Sequence, residues 1–228
     1  MADYIILMGM QGAGKGTQAE VLSHATGLPH VTSGGMLRAI KEQPSDFGRA
    51  VKAYYDPGLY VPDEMMVEII RRRLAEADAK NGVILDGYPR TVPQAETLDK
   101  LLGELGGQVT VVPYLIISEV EALDRLSGRL VCTLNDNHTY NIKDQPPKTP
   151  GFCDIDGAPL KVRDDDTPDA IRQRISEYKV KTQPVLDYYR NRHLLREINA
   201  EQPIDRVTAD LKVAIDGTRH VVEQGKAN

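Results

Sequence analysis

Gly9-Met10-Gln11-Gly12-Ala13-Gly14-Lys15-Gly16-Thr17 sets glycines around one lysine and ends on a hydroxyl, the material for a phosphate cradle. Glycines let the backbone curl until successive N–H groups point inward, and a helix start behind them adds partial positive charge. Lys15 would then bring a full charge to the outer phosphates. The flanks agree with this reading rather than with a merely flexible turn. Tyr4-Ile5-Ile6-Leu7-Met8 reads as a buried parallel strand, and Gln18-Ala19-Glu20-Val21-Leu22 reads as helix. One position narrows the chemistry. The general pattern G-x-x-x-x-G-K-[ST] places a hydroxyl directly after the lysine as a Mg²⁺ ligand. Gly16 stands there instead and the hydroxyl comes at Thr17, so Mg²⁺ is expected to be held mainly by nucleotide phosphates and water.

A second chemical stretch, Asp86-Gly87-Tyr88-Pro89-Arg90, follows the apolar run Val83-Ile84-Leu85. In open α/β sheets ligands sit beyond the carboxyl ends of the strands, so these residues should face the same crevice as the glycine loop. Asp86 there suits Mg²⁺ or its water shell, and Arg90 suits a phosphate, held bidentately.

The elements that would position these groups alternate between strand and helix. A first helix runs to about Ala25 and stops at Gly27, and Leu28 to Val31 forms a short extended piece. Residues 32–61 are helical and polar, broken by Pro44, Pro57 and Gly58, and read as a small insertion and not a core layer. A helix from Pro62 turns Met66, Ile69, Ile70, Leu74 and Ala77 to one side. Helix 93–105 does the same with Leu98, Leu101, Leu102 and Leu105. Val109 to Ile117 is β-rich, although Pro113 interrupts it. The next helix holds Leu123 and Leu126 inward, with Arg125 and Arg129 opposite. Residues 128–166 change character, with prolines, glycines and short β-like pieces, and form a second insertion. Thr167-Pro168-Asp169 reads as the start of a helix that buries Ile171, Ile175 and Tyr178 and is interrupted near Pro184. His193 to Ile198 is the last strand. Pro203 opens a closing helix with Val207, Leu211 and Ala214 inside, and the last dozen residues fray. This order predicts an α/β fold, a parallel sheet with helices on both faces.

Composition sets bounds on this reading. The 228 residues suit one domain with insertions; 41% hydrophobic residues allow a sizeable core and 27% charged residues a wetted surface. A net charge of −5, from 28 basic against 33 acidic residues, argues against a general nucleic-acid binder. No apolar run reaches the ~18 residues of a membrane span. The chain enters a core strand at once without a basic leader, and with two cysteines this predicts a reducing, cytoplasmic setting.

Taken together the motifs resemble those of the adenylate kinases, in the long-lid form, over nearly the whole length. They are the glycine loop, Ser33-Gly34-Gly35-Met36-Leu37-Arg38, Asp86-Gly87-Tyr88-Pro89-Arg90, Gln94, Arg125 with Arg129, and Arg163-Asp164-Asp165-Asp166 followed by Arg174. The resemblance implies a P-loop kinase fold over 1–228 and reversible transfer of a phosphoryl group from ATP to AMP, giving two ADP, with Mg²⁺. It implies a monomer with no nucleic-acid or membrane partner. By similarity, Gly12, Ala13, Gly14, Lys15, Gly16 and Thr17 cradle the ATP phosphates, and Arg125 and Arg129 close over that nucleotide. Ser33, Arg38, Val61, Gly87, Arg90 and Gln94 match the AMP site, joined by Arg163 and Arg174. The insertions match an AMP-binding part (32–61) and a lid (128–166). Lys15, Arg90, Arg129, Arg163 and Arg174 would carry catalysis, with Asp86 at the metal's water shell. The acceptor is an AMP phosphate oxygen, already ionised at pH 7, so no general base is needed and alignment plus charge stabilisation suffice.

Departures from the family pattern mark individual positions. Gly35 stands where an aspartate is common, Tyr88 where phenylalanine is usual, Leu130 where an arginine often pairs with Arg129, and Gln202 where a lysine is common near the adenine. A kinase for UMP or CMP, a GTP-dependent enzyme and a decayed nucleotide switch are the rival readings. The first usually has a short lid, and the last predicts loss of arginines that are present here. Family lids are held by zinc or by a polar network. The spacing Cys132-x5-His138-x14-Cys153-x2-Asp156 offers two thiolates, an imidazole and a carboxylate, an acceptable tetrahedral zinc set, with two free thiols in a hydrogen-bonded lid as the alternative.

Overall fold

A computed structural model describes residues 2–57, 59–135, 138–163 and 166–224. Gly58, and Asp164 and Asp165 of the Arg163 motif, lie outside the described residues. The apolar run forms β1 (Asp3–Gly9). Helix α1 (Lys15–Thr26) starts at the lysine itself, behind Gly14 at φ 82°, and closes on Gly27, whose N–H donates to Ser23 O at 2.8 Å. The chain then forms β2 (His30–Thr32), α2 (Ser33–Lys41) and α3 (Asp46–Tyr55), both helices capped by the hydroxyl ahead of them, Thr32 and Ser45. Helix α4 (Asp63–Leu74) and a 3₁₀ turn lead into β3 (Gly82–Asp86). Thr91 caps α5 (Val92–Glu104), which leads to β4 (Gln108–Ile116) and α6 (Glu119–Ser127). Three short strands follow, β5 (Arg129–Cys132), β6 (Thr139–Asn141) and β7 (Leu160–Val162). Helix α7 (Pro168–Glu177) is capped by Thr167 as the sequence predicts. A π turn over Tyr178–Thr182 absorbs the break before Pro184 in α8 (Gln183–Arg190). Strand β8 (Leu195–Asn199) and α9 (Ile204–Gln224) complete the described fold, with the backbone of α9 helical through much of the stretch expected to fray.

The main sheet is parallel in the order β2-β3-β1-β4-β8, and β6-β5-β7 form a separate antiparallel sheet. Alternation along β1 divides the core. Tyr4, Ile6 and Met8 face a cluster with Leu98, Leu102 and Val185, whereas Ile5 and Leu7 face Leu22, Val207, Leu211 and Ile215. Each such side chain contributes about 1.5–3 kcal/mol on burial. This two-sided burial is what places the carboxyl ends of β1 and β3, and the loops after them, at one edge. The small sheet has only Cys132, Tyr140, Cys153 and Ala158 as its own buried cluster.

Several details depart from the sequence reading. Strand β4 runs unbroken through Pro113, which keeps register with Arg196. Leu123 is exposed and Ala122 takes the inward place beside Leu126, because α6 lies close enough to the glycine loop to admit only a small residue. Arg129 does not share a helix with Arg125 but begins β5. Leu105 is exposed beyond the end of α5, and Ala77 has left α4 for the 3₁₀ turn, where Ala79 is the buried alanine. Leu37, Val51 and Val61 of the 32–61 stretch join the main core cluster, so this stretch is anchored to the sheet.

Candidate active site

The glycine loop turns over the carboxyl end of β1. Gly12 sits at φ 87°, and a Cβ on it would stand 2.9 Å from Ala122 O, so a side chain is excluded on both counts. Lys15 folds back over the loop, donating to Gly9 O at 2.7 Å and Met10 O at 3.0 Å. Burial pushes its pKa down; Asp86 opposes that shift, and Arg90 and Arg129 add to it. A phosphate arriving here meets an ammonium already stripped of much of its water.

Asp86 ends β3 beside the loop. Burial alone would raise its pKa, but His30 and the Lys15 charge outweigh burial and lower it, so it stays a carboxylate. His30 Nε2 lies 3.6 Å from Asp86 Oδ2. A Cβ on Gly16 would stand 4.0 Å from the same oxygen, so the position that usually carries a hydroxyl faces Asp86 and is left open for water. Gly35 is accommodated by its neighbour: a Cβ there would stand 2.5 Å from Thr32 Oγ1, the hydroxyl that caps α2.

The predicted side chains of the nucleotide sites line one cleft of about 1620 Å³, together with Gly12 to Thr17 and Val61. Arg90 donates to Gly87 O at 2.8 Å and to Ser33 Oγ at 3.2 Å, which ties the end of β3 to the start of α2. Arg38 reaches Tyr55 OH at 3.2 Å. Arg125 donates to Glu121 at 2.8 Å and to Ala200 O at 3.0 Å. Arg163 comes from the segment after β7, yet its Nη2 lies 3.9 Å from the point where a Cβ on Gly34 would stand, with Arg38 Nη1 at 3.0 Å from that point. Gln202 also lines the cleft and donates to Asp210 at 2.6 Å.

Asp166 is the hub of this array. Arg129 binds it through Nε and Nη2 at 2.7 and 2.6 Å, and Arg174 Nη2 binds at 2.7 Å, with the carboxylate fully buried between them. The contact joins the first residue of β5 to α7. Sequence reading quoted Asp166 within a motif without assigning it a role. It also missed His30 beside Asp86, Tyr55 on Arg38, and Asp63 behind Gln94. Their partners are distant in the chain or, for His30, lie on a neighbouring strand, and no local spacing signals such pairs.

In the small sheet, Cys132, His138, Cys153 and Asp156 gather their donor atoms within 4.8 Å of one another. Cys132 Sγ lies 3.3 Å from both Asp156 oxygens, Cys153 Sγ 3.4 Å from His138 Nδ1, and that nitrogen 3.0 Å from Asp156 Oδ2. A backbone bond from Ala158 holds the Asp156 pKa down to about 2. His138 Nε2 faces the Asn135 amide at 3.1 Å, which turns Nδ1 into the cluster.

Residues 7–194 match the adenylate kinase family. An adenylate kinase of Methanococcoides burtonii is 44% identical over 212 residues, covering 93% of this chain and 98% of that one. One of Staphylococcus epidermidis is 41% identical with the same coverage. One of Streptomyces avermitilis is 40% identical over 204 residues, 90% of this chain and 93% of its own.

The Asp166 hub predicts a pH-dependent stability. Burial would raise its pKa, but Arg129 and Arg174 hold it below the usual carboxylate range. A depressed carboxyl adds stability above its unfolded pKa of about 4, and that stability is lost as pH falls through the folded value. Asp166→Asn should cost ~3 kcal/mol at pH 7 by urea unfolding, with the gap to wild type closing below about pH 4. A gap that stays constant from pH 7 to 3 would remove the ion pairs from the account.

Proposed function

Because the chain belongs to the adenylate kinase family, we propose that this cleft carries reversible phosphoryl transfer from ATP to AMP, giving two ADP. The observation that supports it most is the meeting of Arg163, from beyond β7, with Arg38 of α2 above Gly34, so that cations from two insertions face one volume. We read 32–61 as the AMP-binding part and 128–166 as the lid. No helix among the described residues is long and apolar enough to cross a membrane, and we read the enzyme as a cytoplasmic monomer with nucleotides as its partners.

The geometry supports these roles. Gly12 to Thr17 direct backbone N–H groups at the ATP phosphates, and Lys15 exchanges its two carbonyl partners for phosphate oxygens. Arg90, fixed by Gly87 and Ser33, takes an AMP phosphate oxygen, while Arg38, Arg163 and Arg174 surround the transferring group. Arg125 and Arg129 approach the ATP side. Asp86, ionised and faced by side-chain-free Gly16, would hold the water shell of the Mg²⁺ that accompanies ATP, which would supply positive charge against the phosphates. With lid and AMP-binding part together, water is excluded from the phosphoryl group, which protects ATP from hydrolysis.

In the lid, the four-residue cluster fits zinc. Tetrahedral bonds of about 2.3 Å to sulfur and 2.0–2.1 Å to nitrogen or oxygen separate such ligand atoms by roughly 3.3–3.8 Å. The nearest pairs here stand 3.0–3.4 Å apart and all four donor atoms lie within 4.8 Å of one another, so small shifts would bring them to that spacing. Zinc there would crosslink a sheet whose own buried cluster is four residues.

Purified protein should form ADP from ATP and AMP only with Mg²⁺, with kcat/KM for AMP above that for UMP or CMP by at least about tenfold. Either pyrimidine nucleotide outperforming AMP would overturn the assignment. Elemental analysis of protein prepared without chelator should find about one zinc per chain. Cys132→Ser should lose it, melting at lower temperature with the main sheet intact. Metal-free protein with two freely reactive thiols would leave the hydrogen-bonded lid in place of zinc.

A further inference from the structure

The Gln94 side chain is 2% exposed, lines the cleft, and is gripped at both ends of its amide. Its Nε2 donates to Asp63 Oδ1 at 2.7 Å, and its Oε1 accepts from the Arg90 backbone N–H at 2.8 Å. A carboxylate only accepts and a backbone N–H only donates, so both partners demand the same orientation of an otherwise reversible group. The other Asp63 oxygen accepts from Thr91 Oγ1 at 2.8 Å, and that hydroxyl in turn accepts from Gln94 N as the cap of α5. Asp63 is therefore held in place by the residue that starts the helix carrying Gln94. It is absent from the described lining of the cleft and acts only from behind.

Once gripped, the amide keeps one N–H and one oxygen lone pair, in a fixed order. A base with an exocyclic amino group beside a ring nitrogen, as in adenine, offers a donor and an acceptor that complement this order. A 6-oxo purine sets its carbonyl oxygen against Gln94 Oε1, acceptor against acceptor, which leaves both unsatisfied. We propose that Asp63 is a specificity-determining positioning residue: by fixing the Gln94 amide it makes the acceptor site select a 6-aminopurine monophosphate over its 6-oxo counterpart. The inference rests on the reading that Gln94 faces the base of the phosphoryl acceptor.

Steady-state kinetics with AMP and with IMP, at saturating ATP and Mg²⁺, test it on the full-length protein. The two acceptors differ at the 6-substituent and the N1 proton, so the ratio of their kcat/KM values reports the amide's orientation. Wild type should favour AMP by at least a hundredfold. Asp63→Ala should cut that ratio about tenfold, mainly through the KM values of the acceptors, with the KM for ATP within twofold of wild type. Asp63→Asn, which can still accept from Nε2 without the charge, should cut it two- to fivefold, and it stands alone as the test should the alanine variant not fold. Loss of rate with an unchanged AMP-to-IMP ratio in the folded variant would mean that Asp63 merely braces α4 against α5, and would overturn its role. A wild type indifferent to the 6-substituent would overturn instead the placement of the acceptor base at Gln94.

Discussion

Like charges repel, and this protein gathers Lys15, Arg38, Arg90, Arg129, Arg163 and Arg174 around one cleft. The array persists because buried carboxylates hold part of it in place. Asp166 neutralises Arg129 and Arg174 together, and Asp86 offsets the Lys15 charge that burial and neighbouring guanidiniums oppose. Phosphate groups entering the cleft would meet this array of positive charge. The rest of the fold serves this arrangement. Double-sided burial of β1 and β3 fixes the floor of the cleft, and the contact from β5 through Asp166 to α7 ties the small sheet to α7.

Lys15 begins α1 just after β1, and Asp86 and Arg90 stand at and just beyond the end of β3, with buried cores behind them, whereas Arg163 follows a small sheet whose own buried cluster is four residues. A stretch with so little apolar burial would gain most from a crosslink, and the Cys132, His138, Cys153 and Asp156 group sits there.

Legibility in the sequence followed the range of the interactions. The glycine loop, the helix caps at Thr167 and Gly27, and the strands β1 and β3 were readable because their signals are local: periodicity, φ > 0 positions and capping hydroxyls. Leu123 was misplaced because helical periodicity takes the larger apolar residue, while the close approach of the loop at Gly12 admits only Ala122. Pro113 argued against a continuous β4, yet the strand runs through it, its flanks held by β1 and β8. The bonds of Asp63 to Gln94 and of Asp166 to Arg129 span 31 and 37 positions, and no spacing rule reaches that far. Cys132, His138, Cys153 and Asp156 were legible as candidate ligands from residue type and spacing, and the fold brings their donor atoms within 4.8 Å of one another.

If catalysis here is the alignment of fixed positive charge on a migrating phosphoryl group, with no proton taken by the protein, the rate should depend above all on the Lys15 ammonium. Lys15→Met tests it, because it keeps an unbranched side chain one atom shorter and removes the ammonium, both its charge and its donors to the loop carbonyls of Gly9 and Met10. Single-turnover measurement of ADP formation, beside circular dichroism and AMP titration of the same preparation, separates chemistry from folding and binding. The account predicts a rate constant lower by about 10²–10³-fold, with native secondary structure and AMP affinity within a few-fold of wild type. A folded variant transferring phosphate within about tenfold of the wild-type rate would contradict it.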